Sequence, residues 1–195
     1  MSKMRSLISN EYSLLSVVLL LGIILRYAAI VFYNHTPESD ELAYQSMAKN
    51  LLAGNGILES GNRAFYNAGY PMFILAPVYY IFGEYLFVAR LANLFLGVSS
   101  IVLCYFVAKE AGAGKIGRLL AAGIWALYLP TGIYGVYLAK ENLMAPLMLG
   151  VMWCALRLVT KPSVKIAAVS GLLFGLLAMI GNAALSLVGV VIIAL

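Results

Sequence analysis

Three acidic residues, Glu38, Asp40 and Glu41, lie within four positions of one another in the most polar part of a very apolar chain. A carboxylate near an acceptor hydroxyl or amine can remove its proton as a general base, which is worth about 10²–10⁴ in rate. A carboxylate can also anchor a sugar or a cation. Alternatively, acids in the first turn of a helix only complement the helix dipole. Asp40 and Glu41 are the candidate catalytic residues. Adjacent side chains at the start of a helix point in different directions, so the two acids need not share one role.

Two arginines, Arg26 and Arg90, lie inside apolar runs of the sequence. A charge within a membrane costs at least about 2.5 kcal/mol unless it reaches the headgroups or finds a partner. One reading is that both side chains extend to the outer headgroups. The other is that they face a cavity and bind a phosphate, for which the fork of donors on arginine is suited.

The turn Lys140-Glu141-Asn142 separates two apolar runs. A hairpin between two membrane spans needs polar residues in any case. The functional alternative is that Glu141 returns an acid to the face that carries Asp40, with Lys140 beside it as a substrate contact. Tyr70 is one of many tyrosines near the predicted outer boundary, where an aromatic belt is common. Stacking of a sugar on such a ring is the alternative.

Several other kinds of site are not predicted. Cys104 and Cys154 both fall inside apolar runs, and His35 has no cysteine or histidine near it in sequence, so neither a disulfide nor a metal site is indicated. Nucleotide-binding, serine-hydrolase and zinc motifs are absent from the sequence. The basic residues behind the net charge of +5 form no single patch, which argues against nucleic acid. No metal ligands are proposed, and metal dependence stays open.

The composition indicates a membrane protein. Hydrophobic residues make up 63% of the 195 positions and charged residues 11%, against about 45–50% and about 25% in soluble domains. The apolar runs are continuous rather than alternating, which predicts an all-α, polytopic helical membrane protein. The sequence predicts five or six spans in a single membrane domain, at 14–33, 85–108, 119–137 (kinked at Pro130), 143–159 and 166–180, with an incomplete span at 183–195.

Between the first two spans, residues 34–69 form a predicted outer loop. Within it, apolar residues recur at helical spacing over 40–53, which predicts an amphipathic helix with Ser39 as N-cap and Gly54 at its C-terminus. Residues 70–82 are apolar but short and contain two prolines, so we expect a re-entrant or interfacial helix. Backbone at that depth must be covered by protein or line a cavity, so a cavity is predicted beside it on the outer side.

The distribution of basic residues predicts a cytoplasmic N-terminus in a cell membrane. If 70–82 does not cross the membrane, most basic residues fall on one side and most acids on the other. The predicted inner group is Lys3, Arg5, Lys109, Lys115, Arg118, Arg157, Lys161 and Lys165.

Four segments in this order resemble a known family. They read SDELAYQSMAKNLLAGNG, NAGYPMFILAPVYYIFGE, YLFVARLANLFLG and LAKEN, and they follow a first span with a late arginine. The ordered set is similar to the N-terminal part of the GT-C glycosyltransferases, in the protein-mannosyltransferase, aminoarabinose-transferase and Rgt-like branch. Members of that family are much longer, so the chain resembles their N-terminal module.

The resemblance implies a transferase that takes a sugar from a polyprenyl-phosphate carrier without a further cofactor, for an unknown protein, lipid or glycan acceptor. It implies that Asp40 is the base, followed by Glu41, and that Glu141 assists from the second outer loop. It implies that Arg90, and less closely Arg26, contacts the carrier phosphate. A basic residue that relatives carry before the Gly-Tyr pair is missing at 66–71, and a later Arg-Pro step is replaced by Gly181-Asn182.

Two other hypotheses stay open. A transporter or a flippase subunit would also use broken helices and a re-entrant segment. A truncated, non-catalytic remnant would leave the same sequence, and an active form could require a complementing C-terminal portion or subunit.

Overall fold

The computed structural model describes residues 11–59, 61–63 and 67–181, and this part of the chain is almost entirely helical. A short antiparallel hairpin pairs β1 (Leu58–Glu59) with β2 (Asn62–Arg63). The helices are α1 (Glu11–Phe32), α2 (Asp40–Leu52), α3 (Pro71–Phe82), α4 (Leu86–Glu110), α5 (Lys115–Leu127), α6 (Leu129–Tyr134), α7 (Glu141–Thr160) and α8 (Val164–Ile180). The predicted all-α class is confirmed for the described residues.

Three of these helices, α1, α4 and α7, are long and apolar enough to cross a membrane. Helices α3 and α8 are apolar but shorter. At 1.5 Å per residue, α3 extends about 18 Å, well short of a bilayer core of about 30 Å. That length suits the predicted re-entrant or interfacial helix, but the number of spans and their orientation stay predictions. The predicted incomplete span at 183–195 lies outside the described residues.

The segment 119–137 is not one continuous helix, contrary to the prediction of a single kinked span. Helix α5 ends at Leu127, Tyr128 is extended with ψ 98°, and α6 restarts the chain with Pro130 in its first turn. A proline inside a helix removes one backbone donor and clashes with the carbonyl four residues earlier, here that of Ala126. Pro130 at the start of a new helix avoids both costs.

Helix α2 matches the predicted amphipathic helix, and Gly54 follows it with a positive φ of 78°. Its buried face differs from the prediction in one respect. Leu42 and Leu52, two of the apolar residues that recur at helical spacing, are exposed, whereas Glu41 is buried together with Tyr44, Met47 and Ala48. The three apolar side chains pack into a core that includes Leu75, Ala76 and Tyr79 of α3.

The long helices form a bundle in which α4 packs against α1, α5 and α7, and α8 packs on α7. Polar contacts close one end of this bundle. Glu11 Oε1 accepts hydrogen bonds from Tyr105 Oη at 2.7 Å and from Arg118 Nη1 at 3.3 Å. Arg157 pairs with Glu110 at 2.5 Å. The segment 33–39, α2 and the 134–141 segment lie at the opposite end of these helices and form the site described next.

Candidate functional site

A cavity of about 260 Å³ lies between the start of α2 and the segment that joins α6 to α7. Asp40 and Glu141, far apart in the sequence, both line it. Asp40 is exposed to this hollow, and Glu141 is the first residue of α7. The lining residues are Glu38, Ser39, Asp40, Glu41, Tyr44, Tyr134, Tyr137, Leu138, Ala139 and Glu141.

The start of α2 has an unusual backbone. Ser39 occupies the N-cap position with φ 46° and ψ −119°, and its side chain makes no capping hydrogen bond. A serine N-cap normally has an extended backbone and accepts a hydrogen bond from the first turn. The predicted N-cap is therefore in place, but without the capping bond that the sequence suggested. The carboxylate of Glu41 instead accepts from the backbone N–H of Glu38 at 3.2 Å.

Glu41 is buried and its two carboxylate oxygens bind protein groups. Oε1 accepts from the backbone N–H of Leu138 at 2.7 Å, and Oε2 lies 2.5 Å from His35 Nε2. With the Glu38 contact, the carboxylate has three partners. A general base needs a free lone pair near its substrate. These contacts favour a different role for Glu41 from the catalytic one predicted from the sequence.

Arg90, predicted to face a cavity and contact the carrier phosphate, is not among the residues that line this cavity. Its Nε donates to the carbonyl of Val136 at 2.8 Å, and its Nη2 donates to the carbonyl of His35 at 2.6 Å. The guanidinium therefore joins two loops. Asn93, one helical turn further along α4, donates to the carbonyls of Gly135 and Tyr137 at 3.2 and 2.9 Å.

Tyr70, for which sugar stacking was the alternative to a place in an aromatic belt, is fully buried. Its hydroxyl donates to Asn93 Oδ1 at 2.8 Å. A ring enclosed by protein offers no face to a ligand, so this position of Tyr70 does not support sugar stacking. Lys140 is not among the residues that line the cavity. Its Nζ donates to Asn67 Oδ1 at 2.7 Å, in the segment before α3.

A second cavity, of about 240 Å³, adjoins the first. The two share Tyr134 and Glu141, which therefore stand between them. Most of the surface area that faces the second cavity belongs to apolar atoms, although several lining residues have polar groups. It consists of Arg26, Gly97, Ser100, Trp125, Pro130, Thr131, Tyr134, Glu141, Asn142 and Ala145.

Arg26 is 2% exposed and binds the broken end of α5. Its Nη1 donates to the carbonyls of Gly22 and Ala126, and its Nη2 donates to the carbonyl of Trp125 and to Thr131 Oγ1, at 3.0–3.2 Å. The last carbonyls of a helix have no partner within the helix. Arg26 supplies the missing donors and leaves its own Nε buried without a partner.

Tyr134 lies on the wall shared by the two cavities. Partial burial raises its pKa most, and the carboxylates of Glu141 and Asp40 raise the pKa further. The phenol is protonated at neutral pH, as tyrosines ordinarily are, and can donate a hydrogen bond. Sequence reasoning noted Tyr134 only as part of an aromatic belt. The tyrosine-rich sequence itself does not distinguish this ring from the others.

Asn93 and His35 are further polar residues of the site that the sequence analysis did not select. Asn93 stands three positions after Arg90, on the same face of a helix, and a polar residue at that position of an apolar run could have indicated its role. His35 lies against the ring of Tyr137, with centroids 4.1 Å apart. Among the described residues, no group of three or more histidine, cysteine or acidic side chains could hold a metal ion.

Comparison of the chain with protein-family models, with curated proteins and with solved structures gives no match in any of the three. The geometry of the two adjoining cavities, together with the motifs in the sequence, is therefore the ground for a functional proposal.

Proposed function

We propose that the chain is a membrane glycosyltransferase, or the N-terminal part of one. In this proposal it transfers a sugar from a polyprenyl-phosphate donor to a protein, lipid or glycan acceptor on the non-cytoplasmic face. One observation supports it most. Asp40 and Glu141 line one polar cavity, and across Glu141 and Tyr134 that cavity adjoins a mostly apolar one that holds the buried cation of Arg26.

Asp40 is the proposed general base. The acceptor oxygen or nitrogen forms a bond to the anomeric carbon of the sugar, and Asp40 takes the proton that the acceptor loses. The bond from that carbon to the carrier phosphate breaks, and its electron pair leaves with the phosphate. Asp40 suits this role better than Glu41 because it is exposed to the cavity, whereas the Glu41 carboxylate is buried and bound.

Arg26 is the proposed source of positive charge near the departing phosphate. Fixed charge placed where negative charge develops stabilises a transition state. The two terminal nitrogens of Arg26 are occupied by four oxygen acceptors, so its contribution comes from its field rather than from a fork around the phosphate. Glu141 and the protonated Tyr134 face both cavities and are proposed to orient the hydroxyl groups of the sugar.

The break between α5 and α6 offers a route for a lipid-linked donor. Leu127, Tyr128 and Leu129 are all more than half exposed there. Trp125 and Pro130, their near neighbours in the chain, line the apolar cavity. A carrier chain in the bilayer could therefore reach that cavity from the side.

The test is sugar transfer by the full chain in membranes, with a panel of radiolabelled polyprenyl-phosphate sugars. Asp40→Asn is expected to lower the rate of transfer by about 10²–10⁴, the usual worth of a positioned base. Glu38→Gln is the matched control, because Glu38 is an exposed acid on the same cavity. Unchanged transfer by Asp40→Asn would remove Asp40 from the mechanism. The wild-type chain is assayed both alone and within the longest native form that contains it, and no sugar transfer from any donor in either form would contradict the proposed function.

A transporter or flippase is the second candidate, and the interrupted helix α5–α6 favours it. Discontinuous helices with capped ends surround substrate sites in many transporters. Vesicles loaded with a lipid-linked sugar distinguish the two. Movement of an unaltered substrate across the membrane would support transport, whereas release of the carrier phosphate with transfer of the sugar would support the transferase.

A further inference from the structure

We infer that Glu41 is a positioning residue that holds Asp40 and Glu141 on opposite walls of the cavity, with His35 and Arg90 as its supports. The role of this arrangement in catalysis rests on the proposed function. The arrangement itself is a property of the fold and can be measured without any activity.

The carboxylate of Glu41 connects two segments that are remote in the sequence. On one side, Oε2 accepts from the backbone N–H of Glu38 at 3.2 Å and lies 2.5 Å from His35 Nε2. On the other side, Oε1 accepts from the backbone N–H of Leu138 at 2.7 Å. Glu41 thus joins the outer loop before α2 to the segment before α7.

The two segments that Glu41 joins are those that carry the cavity acids. Asp40 is its neighbour in the first turn of α2. Leu138 lies three residues before Glu141, where α7 begins. Side chains on rigid, hydrogen-bonded segments keep their separation better than side chains on free loops. One buried carboxylate therefore sets the position of both candidate site acids.

Arg90 provides a second connection between the same segments. Its Nη2 donates to the carbonyl of His35 and its Nε to the carbonyl of Val136. The Arg90 cation also lies close enough to Glu41 for the two charges to interact. His35 is consequently held at its carbonyl by Arg90, at its ring nitrogen by Glu41, and on its ring face by Tyr137.

A purely structural contact between these segments would not need buried charges. Replacing a buried ion pair by apolar side chains of similar volume is often neutral or stabilising. Directional bonds do add geometric precision, and small displacements of reacting groups have large kinetic effects, about 10²-fold for 1 Å. The directional bonds of the buried Glu41 carboxylate, made directly beside the exposed Asp40, therefore fit a positioning role in addition to any contribution to stability.

Hydrogen–deuterium exchange on the full chain, in detergent or nanodiscs, tests the arrangement directly. Glu41→Ala is expected to speed exchange in the 134–141 segment, where the Leu138 amide is buried and bonded to Glu41 in the wild type. Glu41→Gln keeps an acceptor for that amide and is expected to retain most of the protection. It also serves as the informative variant if Glu41→Ala does not fold. Exchange at 134–141 that is unchanged in Glu41→Ala would overturn the inference. Exchange that is accelerated as much in Glu41→Gln as in Glu41→Ala would overturn it as well.

Transfer kinetics test the consequence. Glu41→Ala is expected to lower kcat by about 10–10²-fold with a smaller change in KM, and Glu41→Gln to recover part of that loss. Tyr105→Phe is the control for lost stability alone, because it removes a buried tyrosine's bond to Glu11 at the opposite end of the bundle. Equal kcat in Glu41→Ala and Tyr105→Phe would show that Glu41 is merely structural. Faster exchange in Glu41→Ala, together with no sugar transfer by the wild-type protein from any donor, would uphold the arrangement and reject the proposed function. Normal transfer by Asp40→Asn would instead remove only Asp40 from the mechanism.

Discussion

Arg26 in α1 donates a hydrogen bond to the carbonyl oxygen of Ala126, 3.0 Å away at the end of α5. This contact explains how an arginine is tolerated inside an apolar helix. Pro130 ends α5 early and leaves carbonyls without partners, and the buried guanidinium supplies the donors. The side chain therefore neither reaches the headgroups nor remains free to enclose a phosphate.

Replacement of Arg26 by leucine is expected to destabilise the protein by about 1–3 kcal/mol for each buried carbonyl left without a donor. The carbonyls of Trp125 and Ala126 would lose their donors. The measurement is unfolding by heat or denaturant in detergent. Arg63→Leu is the control, because Arg63 is exposed on β2 and its loss should change stability by less than about 0.5 kcal/mol. Equal stability of the two variants would contradict the capping role of Arg26.

Gly97 makes room for Arg26. A Cβ at this position would lie 2.7 Å from Arg26 Nε. Gly97→Ala is therefore expected to cost about 1–3 kcal/mol, as overpacking usually does. Gly123 is the matched control in α5, where a Cβ would meet nothing within 4 Å, so Gly123→Ala should stabilise by up to about 1 kcal/mol through helix propensity. Unfolding curves that move in the same direction for both variants would refute this explanation.

Ser39→Gly is expected to raise the unfolding temperature. Ser39 has φ 46°, a backbone that costs a non-glycine residue about 1–3 kcal/mol, and its side chain makes no capping bond that glycine would lose. The gain exceeds the added chain entropy of glycine, about 0.4–1 kcal/mol. Ser163 caps α8 with an ordinary extended backbone, φ −154°, and likewise makes no side-chain capping bond. Ser163→Gly should therefore lower the unfolding temperature slightly. An unfolding temperature that is also lower in Ser39→Gly would argue against backbone strain at Ser39.

The pKa of Tyr134 is expected to fall when Asp40 and Glu141 are both changed to amides. Both carboxylates disfavour the phenolate, so their removal lets it form at a lower pH, while burial keeps the pKa above the ordinary value. The phenolate absorbance, measured as a difference from the same chain with Tyr134→Phe, reports this titration. Glu59→Gln removes an exposed charge from β1 and should leave the titration unchanged. An unchanged pKa of Tyr134 in the double amide variant would show that the two acids do not act on this phenol.

Local chemistry let the sequence predict much of the helical structure. The periodic apolar residues after Asp40 and the glycine at position 54 predicted α2 within a residue of its observed end. Continuous apolar runs predicted α4, α7 and α8 to within a few residues, because helix ends depend on caps and neighbouring turns. The break near Pro130 was predicted only as a kink. Proline marks a disruption locally, but whether the helix bends or ends depends on donors elsewhere, here those of Arg26.

The tertiary structure decided which polar residues face a cavity. Asp40 and Glu41 are adjacent acids with the same local signal, yet one is exposed and the other is buried with Leu138, His35 and Glu38 as partners. Sequence spacing cannot distinguish them, because one donor to Glu41, the backbone N–H of Leu138, comes from a segment almost a hundred residues away. For the same reason Tyr70 and Arg90, polar groups in apolar surroundings, proved to be satisfied inside the protein rather than directed at a ligand. Residue type and periodicity determined the helices of this protein, whereas the partner of each buried polar group was determined only by the packing of the helices.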